Sequence, residues 1–172
     1  SRWTDFVAAG KGSGARPRTI MPLIVEPKQG RPRKFRLIHD CRVLNELLEK
    51  LSFKMERLQD FVNQLCADGT LWSIDLLSAY SHAEVNERFR TLIGFNFEGV
   101  DYVCNCLPFG LRTSAYALAK LTAVTAEVLR RSGLVTALIV HLDDFGGSIG
   151  PVPDHPRMAR IMATIKSFGW AL

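Results

Sequence analysis

The sequence predicts an α+β fold in which antiparallel sheets are backed by helices. Short apolar strands alternate with amphipathic helical stretches, and hairpins rather than strict β-α-β crossovers join the strands. The sequence shows no internal repeat of roughly 20–50 residues, which excludes a solenoid or a propeller. Of the 172 residues, 47% are apolar and 23% charged. This composition fits one globular domain or part of a larger one, and it excludes intrinsic disorder, collagen and coiled coil.

The composition and apolar periodicity of the first 69 residues predict a flexible lead-in, a basic hairpin and two helices. Residues 1–19 carry several Gly and Pro without apolar periodicity, as a mobile segment does. Asp40 is placed to cap the first helix, and apolar side chains recur at helical spacing in the second. The predicted elements are two strands around a basic turn, 22–26 and 34–38, and helices at 42–51 and from 58 to a stop at Gly69.

From residue 70 onward the pattern predicts further strands and two longer helices. The strands are 71–76, a hairpin of 92–97 and 100–107 around Glu98-Gly99, and 135–140. Residues 114–131 contain neither Gly nor Pro, which favours a long helix that ends at Gly133. A last helix opens near Asp154 and ends at Gly169.

The charge is divided unevenly along the chain. The net charge is +5, but residues 1–57 hold 13 Lys and Arg against 6 Asp and Glu, whereas residues 58–172 hold 9 against 11. Such a division suits a protein that binds a phosphate backbone with one face and metal ions with another. A solvated basic face is the alternative explanation.

The sequence predicts an intracellular chain without a membrane partner. It contains no run of 18 apolar residues, and its first residues lack the order of a signal peptide. The four cysteines are too scattered for a zinc framework and too few for a disulfide scaffold, so reduced thiols are expected. Cytoplasm and nucleus are not distinguished.

Acidic residues stand where two apolar strands end. Asp75 closes one strand, and Asp143 and Asp144 directly follow another. A carboxylate near a buried strand loses hydration unless it is paired or bound to a cation. Since Mg²⁺ prefers oxygen ligands, these acids predict a site for one or two divalent ions. The alternative is that Asp143-Asp144-Phe145-Gly146-Gly147 is only a hairpin turn, which Asp and Gly favour.

Four motifs in order carry a resemblance to the fingers and palm of reverse transcriptases. They are Phe-Arg-Leu-Ile-His-Asp-Cys-Arg-Val-Leu-Asn at 35–45, Ser-Ile-Asp-Leu-Leu-Ser-Ala-Tyr at 73–80, Leu-Pro-Phe-Gly-Leu at 107–111 and His-Leu-Asp-Asp at 141–144. The Pro-Phe-Gly-Leu sequence resembles retrotransposon enzymes, of the DIRS type that bears a tyrosine recombinase, more than retroviral ones. The resemblance implies a partial fingers segment at 20–69 and a polymerase palm at 70–172, truncated before the thumb.

The resemblance implies an RNA-directed DNA polymerase that transfers dNTPs by a two-metal mechanism. Two ions, Mg²⁺ or Mn²⁺, would be held by Asp75 and Asp143, with Asp144 assisting and the Leu76 carbonyl adding an oxygen. The implied partners are an RNA or DNA template with its primer, and dNTP.

The resemblance also assigns substrate-binding residues. Arg36 matches the arginine that binds the triphosphate, and Lys28 is the candidate for a second phosphate contact. Tyr80 matches the aromatic residue that excludes a 2′-hydroxyl, and Phe109 and Gly110 match the turn that contacts the incoming nucleotide and template base. The alternatives are that Arg36 and Lys28 are solvated surface charges, that Tyr80 is a half-buried core residue, and that Phe109 and Gly110 form an ordinary turn.

Three departures from the family pattern keep other functions open. His141 stands where Tyr or Phe is usual, and Ala115 where many relatives have proline. The chain also ends where relatives continue into a thumb and RNase H or recombinase domains of a longer polyprotein, which implies a fragment. The alternative function is a domesticated or catalytically weak reverse-transcriptase-like domain that only binds nucleic acid. An RNA-directed RNA polymerase is disfavoured by Tyr80, since that enzyme must admit the 2′-hydroxyl.

Overall fold

The computed structural model describes residues 6–8, 16–28, 30 and 33–172. Strands and helices are interspersed along the chain, and among the described residues every pairing between two named strands is antiparallel. The predicted α+β class is confirmed. The strands are β1 Phe6–Ala8, β2 Leu23–Pro27, β3 Phe35–His39, β4 Thr70–Asp75, β5 Gly94–Phe97, β6 Val100–Cys104, β7 Ala137–His141 and β8 Asp144–Ile149. The helices are α1 Arg42–Leu47, α2 Leu58–Val62, α3 Glu87–Arg90, α4 Arg112–Arg131 and α5 His155–Ser167, with a short 3₁₀ turn at Ala79–His82.

The chain forms two compact units, and each is made of two separate segments. The first unit contains the described residues up to 51 together with 80–114, and the second contains 52–79 and 115–172. This division differs from the sequential one predicted at residue 70. The physical reason is strand pairing, since β5 and β6 join β1 in one sheet while β4 joins β8 and β7 in another. Each sheet therefore recruits segments that are distant in sequence.

The first unit contains the sheet β1-β6-β5 and the hairpin β2-β3. Strand β1 lies where the sequence predicted a flexible lead-in, and its register runs from Phe6 opposite Cys104 to Ala8 opposite Tyr102. Three residues are too few to show a period of two, so sequence analysis missed this strand. The rest of the lead-in up to residue 15 lies outside the described residues. The buried core of this unit consists of Met21, Cys41, Ile93, Phe95 and Cys104.

The predicted hairpin around Glu98 and Gly99 is present. Both residues have positive φ, +50° and +77°, as a two-residue turn with the twist of the flanking strands requires. The β2-β3 hairpin is also present, with Leu23 opposite His39 and Pro27 opposite Phe35.

Helices α1 and α2 are shorter than the sequence predicted. Helix α1 ends at Leu47, because Leu48 has extended backbone angles. Asp40 accepts a hydrogen bond from the Arg42 amide at 3.2 Å, although the helix has Cys41 at its N-cap position. Helix α2 ends at Val62, and its apolar side chains stay largely exposed. The apolar residues of α2 have helical spacing in the sequence, but their side chains are not buried in the fold. Burial of an apolar face is the main source of stability for a short helix.

The second unit contains the sheet in the order β4-β8-β7 together with α2, α4 and α5. Helix α4 begins at Arg112, two residues before the predicted start. Helix α5 is capped by Asp154, whose carboxylate accepts from the Arg157 amide at 2.8 Å. Its large, fully buried apolar side chains are Leu76, Leu118, Leu129, Leu138, Phe145, Ile149, Ile161 and Ile165. Among the described residues, no helix is both long and apolar enough to cross a membrane.

Candidate active site

The strand register of the second unit aligns three polar residues at one end of its sheet. Asp75 on β4 lies directly opposite Asp144 on β8, and Asp144 lies directly opposite His141 on β7. Residues directly opposite in antiparallel strands point to the same face, with Cβ atoms about 4.5–5.5 Å apart. We call Asp75, Asp143 and Asp144, which meet at this end of the sheet, the carboxylate row.

The alternation of side chains along the strands leaves the carboxylate row accessible. Asp75 and Asp144 are exposed, as is the neighbouring His141, and Asp143 is half-buried. Their neighbours one residue away lie on the other face, where Phe145 is 1% exposed and Val140 is buried. Because consecutive side chains of a strand point to opposite faces of the sheet, an exposed acid and a buried core residue can be neighbours in the sequence.

Asp143 lies in the two-residue turn between β7 and β8. Leu142, the first residue of this turn, has a φ of +57°, which is uncommon for a residue with a side chain. The Leu76 amide donates to the Asp143 carbonyl at 3.0 Å and ties the turn to the end of β4. The alternative interpretation as a turn is therefore correct for Asp143 only, because the residues from Asp144 to Gly147 belong to strand β8, which the sequence pattern did not indicate.

The outer edge of β7 is held by side chains from outside the sheet. Glu56 accepts a hydrogen bond from the Val140 amide at 2.8 Å, and Arg130 donates to the Leu138 carbonyl at 3.3 Å. Glu56 and Arg130 also form an ion pair. These contacts satisfy an edge that would otherwise be open and fix the strand that leads into the turn of Asp143. A shallow cleft of about 200 Å³ beside this edge contains no member of the carboxylate row.

The acids interact electrostatically. Although the Asp144 side chain is exposed, partial desolvation of its carboxyl group raises its pKa, the negative charges of Asp143 and Asp75 raise it further, and His141 opposes this increase. Like charges in one place disfavour ionisation unless a cation compensates them. A cation beside Asp144 would therefore favour its ionised form.

The donor chemistry of the row fits a divalent ion such as Mg²⁺. Within the part of the chain that is described, no three His, Cys, Asp or Glu side chains form a preassembled metal cluster. Mg²⁺ is commonly held by one or two carboxylates together with waters and substrate phosphates, so a dedicated protein cage is not required. The Leu76 side chain is buried, and the role of its carbonyl stays a prediction.

Three of the predicted substrate-binding residues meet in the first unit. The Arg36 guanidinium carbon lies 5.2 Å from the centre of the Phe109 ring. The Tyr80 ring lies 5.7 Å from the same ring at an interplanar angle of 80°. The contact of Arg36 with the Phe109 ring is a cation–π interaction, and that of Tyr80 is an edge-to-face aromatic pair, so both contacts are favourable. We call Arg36, Tyr80 and Phe109 the Phe109 cluster.

Gly110 is required by the backbone of the turn that carries Phe109. Its φ is +115°, and a Cβ at this position would collide with the His39 carbonyl oxygen. The His39 amide in turn donates to the Phe109 carbonyl at 2.9 Å. The turn thus lies directly against the end of β3, the strand whose second residue is Arg36. Lys28, by contrast, is exposed near the hairpin tip, and its phosphate contact stays a prediction.

Asn45 lies in the first of the four motifs, but neither the motif nor its resemblance to the family gave this residue a role. Its side-chain nitrogen donates to the Gly110 carbonyl at 3.0 Å. Its side-chain oxygen accepts from the Arg112 amide at 2.7 Å. The only available signal was its position at the end of the motif at 35–45, and the pairing across more than 60 residues required the tertiary structure.

Comparison with known proteins gives similarity in sequence and in fold. No family model matches the chain. Over 107 residues it is 28% identical to the retrovirus-related Pol polyprotein from transposon 412 of Drosophila melanogaster. The match covers 60% of this chain and 9% of that polyprotein.

Solved structures of foamy viral protease-reverse transcriptase share the fold. The complex with dsDNA has a TM-score of 0.74 at 18% identity, covering 97% of this chain and 32% of the other. The complex with an RNA/DNA hybrid has a TM-score of 0.71 at 18% identity, covering 96% and 20%. The likeness in fold extends over nearly the whole of this chain and over a fifth to a third of those chains, so this chain has the fold of part of these solved structures.

Proposed function

We propose that this chain is the fingers and palm portion of an RNA-directed DNA polymerase from a retrotransposon, with the DIRS type as the subfamily. The observation that carries the proposal is the carboxylate row, in which Asp75 lies opposite Asp144 and beside the turn of Asp143. A protein that only binds nucleic acid gains nothing from acids gathered at one place, because they repel a phosphate backbone. The similar Pol polyprotein and the solved reverse transcriptases support this proposal.

The proposed partners are a template with its primer and a dNTP. The chain spans 9% of the similar polyprotein and 20–32% of the two solved chains, so the activity is proposed for the longer protein of which this chain would form the core. Two of the solved relatives are complexes with dsDNA and with an RNA/DNA hybrid, which supports a duplex partner. A thumb and RNase H or recombinase domains would complete that protein.

In this mechanism Asp75, Asp143 and Asp144 would hold the divalent ions. When bound, the ions would lower the pKa of the primer 3′-hydroxyl and stabilise charge on the triphosphate. Arg36 would bind the triphosphate with its planar guanidinium. Tyr80 would exclude a 2′-hydroxyl, while the turn of Phe109 would contact the base pair being formed.

The test measures primer extension on an RNA template with dNTP and Mg²⁺ or Mn²⁺, with the thumb supplied in the longer chain. Asp75→Asn and Asp143→Asn should each lower the rate at least about 100-fold, because each removes an ion ligand. Both variants should stay folded and keep their urea midpoint or raise it, since each change relieves repulsion within the row.

Asp68→Asn is the matched control, because Asp68 is an exposed acid of the same unit outside the carboxylate row. It should extend primers at the parental rate. If neither the parent nor any variant extends a primer while all bind primer-template equally, the alternative function of nucleic-acid binding replaces the polymerase.

A further inference from the structure

The turn at residues 109–112 is held at three main-chain atoms. The Phe109 carbonyl accepts from the His39 amide, at the end of β3. The Gly110 carbonyl accepts from Asn45, and the Arg112 amide donates to the same Asn45 side chain. Two of the three anchors therefore come from one residue of α1.

The Asn45 side chain is suited to this contact because an amide donates and accepts at once. Its two atoms bridge the residues on either side of Leu111, at 3.0 and 2.7 Å. The Arg112 guanidinium also donates to the Leu48 carbonyl at 3.2 Å, just beyond α1. Leu111 itself packs against the buried core of the first unit. The helix and the turn are thus joined at several points.

The position of the Phe109 ring follows from that of the turn. The ring is 37% exposed and contacts Arg36 and Tyr80, so the core does not enclose it. A half-exposed ring keeps its place only if its backbone is fixed, since cation–π and aromatic contacts at exposed sites are worth only about 1 kcal/mol each.

We propose that Asn45 is the positioning residue of the Phe109 cluster and that it thereby sets the affinity for the incoming dNTP. The link between Asn45 and dNTP affinity rests on the proposed function. The position of the Phe109 ring does not, because it is a property of the folded chain that can be measured without catalysis.

The experiment compares Asn45→Ala and Asn45→Asp with the parent chain. Asn45→Asp keeps the acceptor for the Arg112 amide and replaces the donor to the Gly110 carbonyl by an oxygen, which repels it. Asn96→Ala is the matched control, since Asn96 also uses both side-chain atoms, donating to Asp101 at 2.7 Å and accepting from the Gly99 amide at 3.2 Å. It lies in the β5-β6 hairpin of the same unit.

The first measurement places 4-fluorophenylalanine at position 109 alone and records its ¹⁹F NMR signal. Both Asn45 variants should shift or broaden the signal, and Asn96→Ala should leave it unchanged. The second measurement is the KM for dNTP in primer extension. It should rise about 5- to 30-fold in the Asn45 variants, as expected for one or two lost hydrogen bonds, with kcat within about twofold of the parent.

An unchanged ¹⁹F signal in both Asn45 variants would overturn the positioning role. A changed signal with an unchanged KM would overturn the link to dNTP affinity. A parent chain that extends no primer would refute the proposed function, while the ¹⁹F signal would still decide whether Asn45 positions the ring.

Discussion

Acid should destabilise the first unit through His39. This residue is 3% exposed, and its ring makes an edge-to-face contact with Phe95 at 5.3 Å. Burial lowers the pKa of His39 from 6.5 to about 4, against the opposing effect of a hydrogen bond with the Phe109 backbone. The imidazole is therefore neutral in the folded protein at pH values where it is protonated in the unfolded chain.

The size of the effect follows from the two pKa values. Below pH 6.5 the imidazole of His39 binds more protons in the unfolded chain than in the folded one. The contribution of His39 to the free energy of unfolding is therefore fully present above pH 6.5 and is lost as the pH falls towards 4. Between pH 7 and pH 5 the loss from this site is about 2 kcal/mol.

Urea unfolding at several pH values between 7 and 5 measures this loss. Replacing the imidazole in His39→Gln should remove most of the dependence on pH, whereas His155→Gln, which changes an exposed histidine, should retain it. An NMR titration of the parent should place the His39 pKa well below 6.5. If His39→Gln shows the same pH dependence as the parent, or if His39 titrates near 6.5, the reasoning from burial is wrong.

Two further substitutions test the Phe109 cluster and its turn. Gly110→Ala should lower the free energy of unfolding by at least about 2 kcal/mol, because its Cβ meets the His39 carbonyl, whereas Gly99→Ala, with positive φ and open space around it, should cost about 1 kcal/mol in the same urea assay. Equal costs for the two variants would show that the close approach is unimportant. Tyr80→Val should increase ribonucleotide incorporation relative to dNTP by about tenfold or more if the ring excludes the 2′-hydroxyl, and an unchanged ratio in competition assays would remove that role.

Much of the secondary structure was predictable because its causes are local. The Glu98-Gly99 turn and the Asp154 cap act over two to four residues, and both elements appear where the sequence predicted them. The errors arose where a local pattern was too short, where it lacked tertiary support, or where acids and glycines suggested a turn, as in the six-residue strand β8. Strand β1 has three residues, and α2 ends early because its apolar face finds little to pack against.

The candidate site was predictable as a set of residues rather than as an arrangement. The motifs indicated Asp75, Asp143 and Asp144 as acids that meet, but a register that places Asp75 opposite Asp144 depends on how β4 and β8 pair. A slip of one residue would have turned one of these side chains to the other face. Likewise, Arg36 and Phe109 were each proposed to bind the nucleotide, and their direct contact became apparent only in the folded chain.

Consecutive residues were enough to establish the α+β class, the hairpins and the types of side chain available for chemistry. The division into two units, the opposition of Asp75 and Asp144, and the bridging of the Phe109 turn by Asn45 all depend on contacts between segments 60 or more residues apart. Periodicity and turn chemistry act within a few residues, whereas such contacts are selected by the combined burial and hydrogen bonding of the whole chain.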